Sequence, residues 1–108
     1  VGNPRPQLAC RKVTLMKCQI RGSKGKVVSL LMQDENGVFE GVCFDRTMLD
    51  ELFEQGSGGR LLKQQMEKGI YFTDPPLVDL IYEPTIDRYY RDPRIKLQIT
   101  HIRYSQNG

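Results

Sequence analysis

The chain has 108 residues and a mass of 12.5 kDa, which is enough for one domain with a buried core and too little for two. Its 39% hydrophobic and 27% charged residues, with no long apolar run, exclude a membrane-spanning protein and predict a soluble fold without a membrane partner. The net charge of +3 excludes neither acidic nor basic partners, so the distribution of charge along the chain is more informative.

The first residues lack the features of a natural start. Residue 1 is valine, and neither a basic nor an apolar leader follows it. We therefore expect a single domain, residues 1–108, excised from a larger protein, in which residues 1–12 lead in from a preceding domain. Three cysteines, Cys10, Cys18 and Cys43, are an odd number without metal-ligand spacing, which indicates reduced thiols and a cytoplasmic location.

The first half of the chain predicts three strands in succession. Apolar and β-branched residues run over 13–20, 27–33 and 38–44, and they place Phe39 and Phe44 in the core or in the wall of a groove. A loop with two glycines and three cations joins the first two strands. Asn36-Gly37 joins the next two and predicts a tight hairpin, because this pair favours a turn in which both residues have positive φ.

Two helices are predicted in the middle of the chain. Asp45 can cap the first, whose apolar residues recur at helical spacing up to Gly56 while its other face is acidic. A glycine-rich connector follows, and residues 60–68 predict a second, shorter helix that ends at Gly69. The path of residues 55–76 as a whole is left open.

Two further strands complete the predicted fold. Alternating apolar and polar residues predict one strand over 77–83, ended by Pro84, and another over 95–104 with a bulge near His101. Three strands, a helical connection and two strands form the order of an OB-fold, a five-stranded Greek-key barrel with a helix between strands 3 and 4. We therefore predict a mainly β fold of this class, with a short antiparallel sandwich as the main alternative.

Basic and acidic residues fall in different parts of the chain. Residues 1–33 hold seven basic and no acidic side chains, residues 34–79 hold ten acids against four bases, and residues 80–108 hold five bases against three acids. If the first third and the last strand lie side by side, they form a basic face suited to a polyanion. The alternative is that these charges only solvate the surface.

The two loops that frame the binding face of an OB-fold combine cations with aromatic residues here. Cations follow phosphates and aromatic rings stack on unpaired bases, so this mixture predicts a site for single-stranded nucleic acid. The two tyrosines are adjacent, so one would stack while the other packs. Alternatively, a tyrosine seals the barrel and the arginines pair with Asp87 and Asp92. The predicted site comprises Arg21, Lys24 and Lys26 from the strand 1–2 loop, and Arg88, Tyr89, Tyr90, Arg91, Arg94 and Lys96 from the strand 4–5 loop and the strand after it.

Motifs for catalysis and metal binding are missing from the sequence. Its single histidine, His101, has no cysteine or carboxylate at metal-ligand spacing, and no glycine motif for phosphate binding is present. We therefore expect no enzyme activity, no catalytic residue, no metal site and no cofactor in this chain.

Two stretches of the sequence resemble a known family. The opening Gly2-Asn3-Pro4-Arg5-Pro6 is similar to the start of the OB domain of bacterial RecJ, a 5′→3′ exonuclease specific for single-stranded DNA. Residues 78–84 and 96–103 resemble the last two strands of that domain. The resemblance extends over residues 2–104, but the segment 55–76 is longer than in the family and the strand 4–5 loop lacks the expected glycine.

The resemblance implies the OB domain of a RecJ-like nuclease that acts in DNA repair and recombination. It implies that the chain binds single-stranded DNA for a catalytic core elsewhere on the same polypeptide, which would need Mn or Mg. The implied partners are single-stranded DNA, the catalytic domains and, as a further candidate, single-stranded DNA-binding protein. The alternative is an interdomain or protein–protein interaction module without DNA contact, with the acidic helix as its contact surface.

Overall fold

A computed structural model describes residues 7–22, 24–87 and 94–105, with the backbone alone for 85–87 and 94–96. Its elements follow the predicted order. Strands β1 (Leu8–Arg21), β2 (Val27–Asp34) and β3 (Gly37–Cys43) come first, helices α1 (Arg46–Gln55) and α2 (Gly59–Lys68) follow, and strands β4 (Leu77–Asp87) and β5 (Arg94–Tyr104) come last.

The strands form a closed barrel in the order β1-β2-β3-β5-β4. Neighbouring strands pair antiparallel except β3 and β5, which run parallel where Gly41 lies beside Leu97. A Cβ on Gly41 would lie 2.8 Å from Met32 Cε and 3.1 Å from the Leu97 carbonyl oxygen, so a larger residue would crowd the point where β3 meets β5. With both helices between β3 and β4, this topology is an OB-fold, and the predicted fold class is confirmed.

One apolar core fills the barrel and continues under the helices. Successive side chains of a strand face opposite sides, so every second residue of β2 points inward. The predicted inward residues of β2 are buried, and both helices add their apolar faces to the same core. These buried residues are Val28, Leu30 and Met32 of β2, Leu49, Leu52 and Phe53 of α1, and Leu62 and Met66 of α2.

β1 is longer than the sequence predicted. It begins at Leu8, pairs first with β4 and then with β2, so residues 8–12, which we assigned to a lead-in segment, are part of the barrel. A bulge between Cys10 and Val13, where Lys12 has a φ of 54°, lies in the part of β1 that pairs with β4 and breaks the alternation by which a strand is recognised. The Lys12 N–H donates to Asp79 Oδ1 of β4 at 3.0 Å and stabilises the bulge.

β4 continues past Pro84 to Asp87, so the prediction that proline ends this strand is wrong. β1 pairs with β4 only as far as Leu8 and Tyr82. Among the described residues, β4 beyond Tyr82 therefore has a partner strand on one side only. Proline lacks a backbone N–H, and this loss is tolerated where no strand is present to accept the bond.

The predicted bulge in β5 is confirmed. Ile81 of β4 pairs with His101, whereas the next residue, Tyr82, pairs with Ile99, so Thr100 is the extra residue. The Thr100 hydroxyl donates to the Ile81 carbonyl oxygen at 3.2 Å. This bond stabilises the irregular step and shifts the alternation of the last residues of β5.

The hairpin between β2 and β3 is confirmed, but its predicted turn is wrong by one residue. Glu35 and Asn36 form the turn, and Gly37, with a φ of 134°, already pairs with Asp34. The Asn36 N–H donates to Asp34 Oδ1 at 2.8 Å. This local bond between a side chain and the backbone stabilises the turn without positive φ at Asn36.

Both helices begin and end close to the predicted residues. The Thr47 N–H donates to Asp45 Oδ1 at 3.0 Å, so Asp45 caps α1 as expected. α2 ends at Gly69, whose left-handed φ of 66° lets its N–H donate to the Met66 carbonyl oxygen at 3.1 Å. Within the described ranges, neither helix is long and apolar enough to cross a membrane.

Candidate nucleic-acid interface

The outward face of β1, β2 and β3 carries a shallow groove of about 220 Å³. Three rows of paired residues cross this face, because strand side chains point outward at every second position. The rows are Arg21–Val27, Gln19–Ser29–Val42 and Lys17–Leu31–Glu40. We call this surface, with Tyr71 at its margin, the β1–β3 groove.

Cations lie along β1 and the loop that follows it. Arg21, Lys24 and Lys26, all predicted from the sequence, are exposed, and the structure adds Lys17 in the wall of the groove. None of these four side chains forms an ion pair with another described residue. Their charge is therefore available to an anion from solvent, whereas Glu40 on β3 opposes anions at the other side of the groove.

An exposed aromatic ring, that of Tyr71, borders the groove next to β1. It is 59% exposed and comes from the segment between α2 and β4, whose path the sequence left open. The Tyr71 backbone bridges to Lys17, and the Phe72 N–H donates to the Met16 carbonyl oxygen at 2.9 Å. The Lys17 Nζ lies 5.2 Å from the centroid of the Tyr71 ring, within the range of a cation–π contact.

The segment that carries Tyr71 is held in place by contacts with both helices. Phe72 is buried and meets the Phe53 ring of α1 edge-on, with the ring centroids 6.0 Å apart and the planes at 86°. Gln65 of α2 donates from Nε2 to Thr73 Oγ1 at 2.8 Å and accepts the Thr73 N–H at Oε1 at 3.3 Å. On the preceding side, the Ile70 N–H donates to the Gln65 carbonyl oxygen at 3.1 Å, so the chain is held on both sides of Tyr71 while its ring is exposed.

A second exposed ring lies at the end of β3. Phe44 follows the last residue of β3 and is 55% exposed. Phe39 instead packs against the core. Of the two phenylalanines that the sequence placed in the core or groove wall, Phe39 contacts the core, whereas Phe44 is exposed and does not line the β1–β3 groove.

The structure describes only part of the predicted strand 4–5 site. Arg88, Tyr89, Tyr90 and Arg91 lie outside the described residues, and for Arg94 and Lys96 the backbone in β5 is described. Leu97 of β5 pairs with Gly41 of β3, so the part of β5 that follows these residues lies beside the β3 margin of the groove. The role of these six side chains stays a prediction.

With this geometry established, the chain can be compared with known proteins. A family model described as "RecJ OB domain" matches residues 1–101. The chain belongs to the RecJ OB domain family. No curated protein and no solved structure matches it. The family confirms the resemblance seen in the sequence, and as an OB domain the chain is a non-catalytic domain.

The side-by-side arrangement of the first third of the chain and the last strand, considered from the sequence, is not found among the described residues of this RecJ OB domain. β4 lies between β1 and β5 because the long β1 closes the barrel against β4. Arg103 of β5 pairs instead with Asp79, at 3.3 Å. The described cations of the groove therefore all come from residues 17–26.

The acidic side of α1 is partly neutralised by ion pairs with its neighbours. Arg46 lies 3.6 Å from Asp50 and 3.2 Å from Glu67, and Lys63 of α2 lies 3.8 Å from Asp50. None of these side chains lines the β1–β3 groove. The charges of the RecJ OB domain's two helices therefore connect α1 to α2.

No cluster of three His, Cys, Asp or Glu side chains that could hold a metal ion occurs in the described ranges of the RecJ OB domain. Burial raises the pKa of the Cys18 and Cys43 thiols, and Cys43 Sγ donates to the Asp45 carbonyl oxygen at 3.1 Å. Because the thiolate is the reactive form, these cysteines act as small apolar core residues.

Asp79 is an acid with a structural role in the RecJ OB domain. Its Oδ1 accepts from Ser105 Oγ at 2.6 Å and from the Lys12 N–H at 3.0 Å, and its Oδ2 accepts from Arg103 Nε at 3.3 Å. These donors, Ser105 above all, hold the pKa of Asp79 below its ordinary value. The carboxylate thereby joins β1, β4 and the end of β5.

Proposed function

We propose that this RecJ OB domain binds single-stranded DNA, largely without sequence preference, and holds it for an exonuclease core of the same polypeptide. The observation that supports the proposal is the β1–β3 groove, which combines cations with the exposed aromatic ring of Tyr71 on one face. OB-folds in general bind oligonucleotides on this face, between the loops that join strands 1–2 and 4–5.

The cations provide the electrostatic part of the proposed binding. Lys17, Arg21, Lys24 and Lys26 follow one another along β1 and its loop, so an extended phosphate backbone could contact them in succession. Each phosphate contact releases counterions and contributes about −0.7 to the slope of log K against log[salt]. Four contacts give a slope of about −2.8.

The apolar surface provides the part that does not depend on salt. Tyr71 and Phe44 are exposed, and Leu31 and Val42 are half-buried. Every base has an aromatic face, so stacking on such surfaces tolerates any sequence. This combination supports binding of single strands, whose bases are free to stack, over binding of a duplex.

The proposal extends to the strand 4–5 loop and to the rest of the polypeptide. Residues 88–96 carry two tyrosines and four cations and directly precede Leu97, which pairs with Gly41 of β3, so we include them in the proposed interface. Hydrolysis, with Mn or Mg, is assigned to catalytic domains outside this chain. The proposed setting is DNA repair and recombination in the cytoplasm.

A titration of labelled oligo-dT with the 108-residue chain tests this proposal. Between about 50 and 200 mM salt, a slope of −2.8 predicts that Kd rises about 50-fold. The double substitution Lys24→Gln/Lys26→Gln should make the slope shallower by about 1.4. The matched control Arg60→Gln/Lys68→Gln removes the same charge from exposed positions on α2 and should leave the slope unchanged.

Absence of binding at low salt, or a flat slope, would contradict the proposal and favour the second candidate, an interdomain or protein–protein interaction module. The observation that favours this candidate is the exposure of Leu61 on α2, Ile70 just after it and Leu77 at the start of β4, each nearly half exposed. Such a module would contact the catalytic domains or single-stranded DNA-binding protein through apolar surface. Its binding would depend much less on salt.

A further inference from the structure

We propose that Tyr71 is a base-stacking residue of the β1–β3 groove and that Lys17 contacts the phosphate beside the stacked base. The inference rests on the proposed function. It places a stacking residue in the segment between α2 and β4, where the sequence pattern indicated none. The observation behind it is an exposed ring, held by a fixed backbone, at the edge of a groove lined by cations.

The backbone on both sides of Tyr71 is already in place. The Tyr71–Lys17 bridge and the bond from Phe72 N–H to the Met16 carbonyl oxygen attach the segment to β1, and the buried Phe72 ring anchors it on Phe53. A tyrosine side chain has few rotatable bonds, and its backbone is already held here. A base that stacks on Tyr71 therefore causes only a small loss of conformational entropy in the protein. Pre-organisation of this kind increases affinity without further contacts.

The contact between Lys17 and Tyr71 supports the assignment of the two roles. Without DNA, the Lys17 Nζ lies 5.2 Å from the ring centroid and therefore occupies one face of the ring. An exposed cation–π contact is weaker than the stacking of a base on an aromatic ring. A base can therefore replace the ammonium group on the ring, and the released ammonium group stays close enough to bind the adjoining phosphate.

Along the row Lys17–Leu31–Glu40, the charge of the groove changes from positive on β1 to negative on β3. Its cation lies on β1, its apolar residue on β2 and its acid on β3. Phosphates are attracted to the β1 side and repelled from Glu40, whereas bases are accommodated over Leu31. The strand would then run along β1, past Lys17 and Arg21, with Tyr71 beside its bases.

Tryptophan fluorescence provides a direct test, because the chain contains no tryptophan. The Tyr71→Trp variant carries a single indole at the proposed stacking position, and oligo-dT should quench its emission in step with binding. The control variant Leu61→Trp places an exposed indole on α2 and should keep its emission. Quenching of both variants or of neither, at DNA concentrations that saturate the chain, would overturn the assignment.

Affinity measurements test the same residue without a reporter. Tyr71→Ala should weaken oligo-dT binding by about 5- to 150-fold with an unchanged salt slope, because stacking but no phosphate contact is lost. Tyr71→Phe should bind within about twofold of the parent chain, since the ring remains. Tyr71→Leu, which keeps apolar bulk at the surface, should behave like the alanine variant, and all three should keep the melting temperature.

The possible results separate this inference from the proposed function. If the parent chain binds with a steep salt slope but Tyr71→Ala binds equally well, the stacking role is wrong and the proposed function stands. If Tyr71→Leu binds like the parent chain while Tyr71→Ala does not, apolar bulk rather than stacking is responsible, and the inference is also overturned. If the parent chain does not bind oligo-dT at low salt, the proposed function fails, and the inference fails with it.

Discussion

The β1–β3 groove and the pair of helices use their charged residues in opposite ways. In the helices, Arg46 lies 3.2 Å from Glu67, and Lys63 lies 3.8 Å from Asp50, so opposite charges meet within the domain. The cations of the groove form no such pairs with the described residues and are exposed or line the groove. Charges paired within a domain attract partners weakly, whereas a group of like charges facing solvent attracts a polyanion.

The comparison also indicates where the stability of the domain lies. The ion pairs between α1 and α2 are partly exposed to solvent, and ion pairs at a protein surface contribute only about 0.2–1 kcal/mol each, so these pairs add little. The helices are held mainly by their buried apolar residues, among them Phe53, which also supports Phe72 and hence Tyr71. The helices thus support the groove through the core, while the groove is the surface available for binding.

The largest expected effect is on stability and comes from the residue that connects the two regions. Phe53→Ala should lower the free energy of unfolding by about 3–5 kcal/mol, because it removes a fully buried ring from the core. Urea unfolding measures this change. Leu61→Ala, at an exposed position on α2, should change it by less than about 0.5 kcal/mol. Similar losses for both variants would show that the helices are not held by their buried face.

An effect of intermediate size, on DNA affinity, is expected when an acid is replaced by lysine in the groove but not when the same change is made on α1. Glu40→Lys in the groove should raise the affinity for oligo-dT about fivefold at about 0.1 M salt, with a slope steeper by about 0.7, because it replaces a repelling charge by one more phosphate contact. Glu51→Lys, at an exposed position on α1, should change the affinity by less than about twofold. Fluorescence anisotropy measures both, and equal effects would contradict the contrast between groove and helices.

The smallest expected effect concerns Asp79, which lies in neither region. Its donors hold the pKa of Asp79 below the ordinary value of 3.8, so the ionised carboxylate stabilises the fold above that pH and loses this contribution as pH falls through the lowered pKa. Thermal unfolding of Asp79→Asn should show a melting-temperature deficit that is constant between about pH 5 and 7 and shrinks below about pH 4. A deficit that grows as the solution is acidified would show that the interpretation has the wrong sign.

Most of the fold could be predicted because local signals agree with the tertiary structure. Alternation in β2, the Asp45 cap and the Gly69 stop all act over a few residues, and each is found where expected. The errors arise where a distant contact decides the backbone. The bulge at Lys12 depends on Asp79, 67 residues away, and no pattern around Lys12 reveals that partner.

The sequence predicted the kinds of residue that form the candidate site, namely cations and aromatic rings, but only part of their positions. The cations after β1 were found because an OB-fold fixes the place of its loops, whereas Tyr71 was missed because residues 70–76 have no periodicity. Its position depends on Phe72 meeting Phe53 and on Gln65 bonding Thr73. The one local signal is the aromatic pair Tyr71-Phe72 directly after a helix stop, where one ring packs inward and the other must face out.

The most direct test of the central claim is to map DNA onto the domain by nuclear magnetic resonance. Oligo-dT is titrated into the isotope-labelled 108-residue chain, and the amide shifts of each residue are followed. We predict that the largest changes occur along the β1–β3 groove, at Lys17, Gln19, Leu31 and Tyr71, with small changes on α1 and α2. Changes concentrated on the helices, or none in the groove at saturating DNA, would contradict the account.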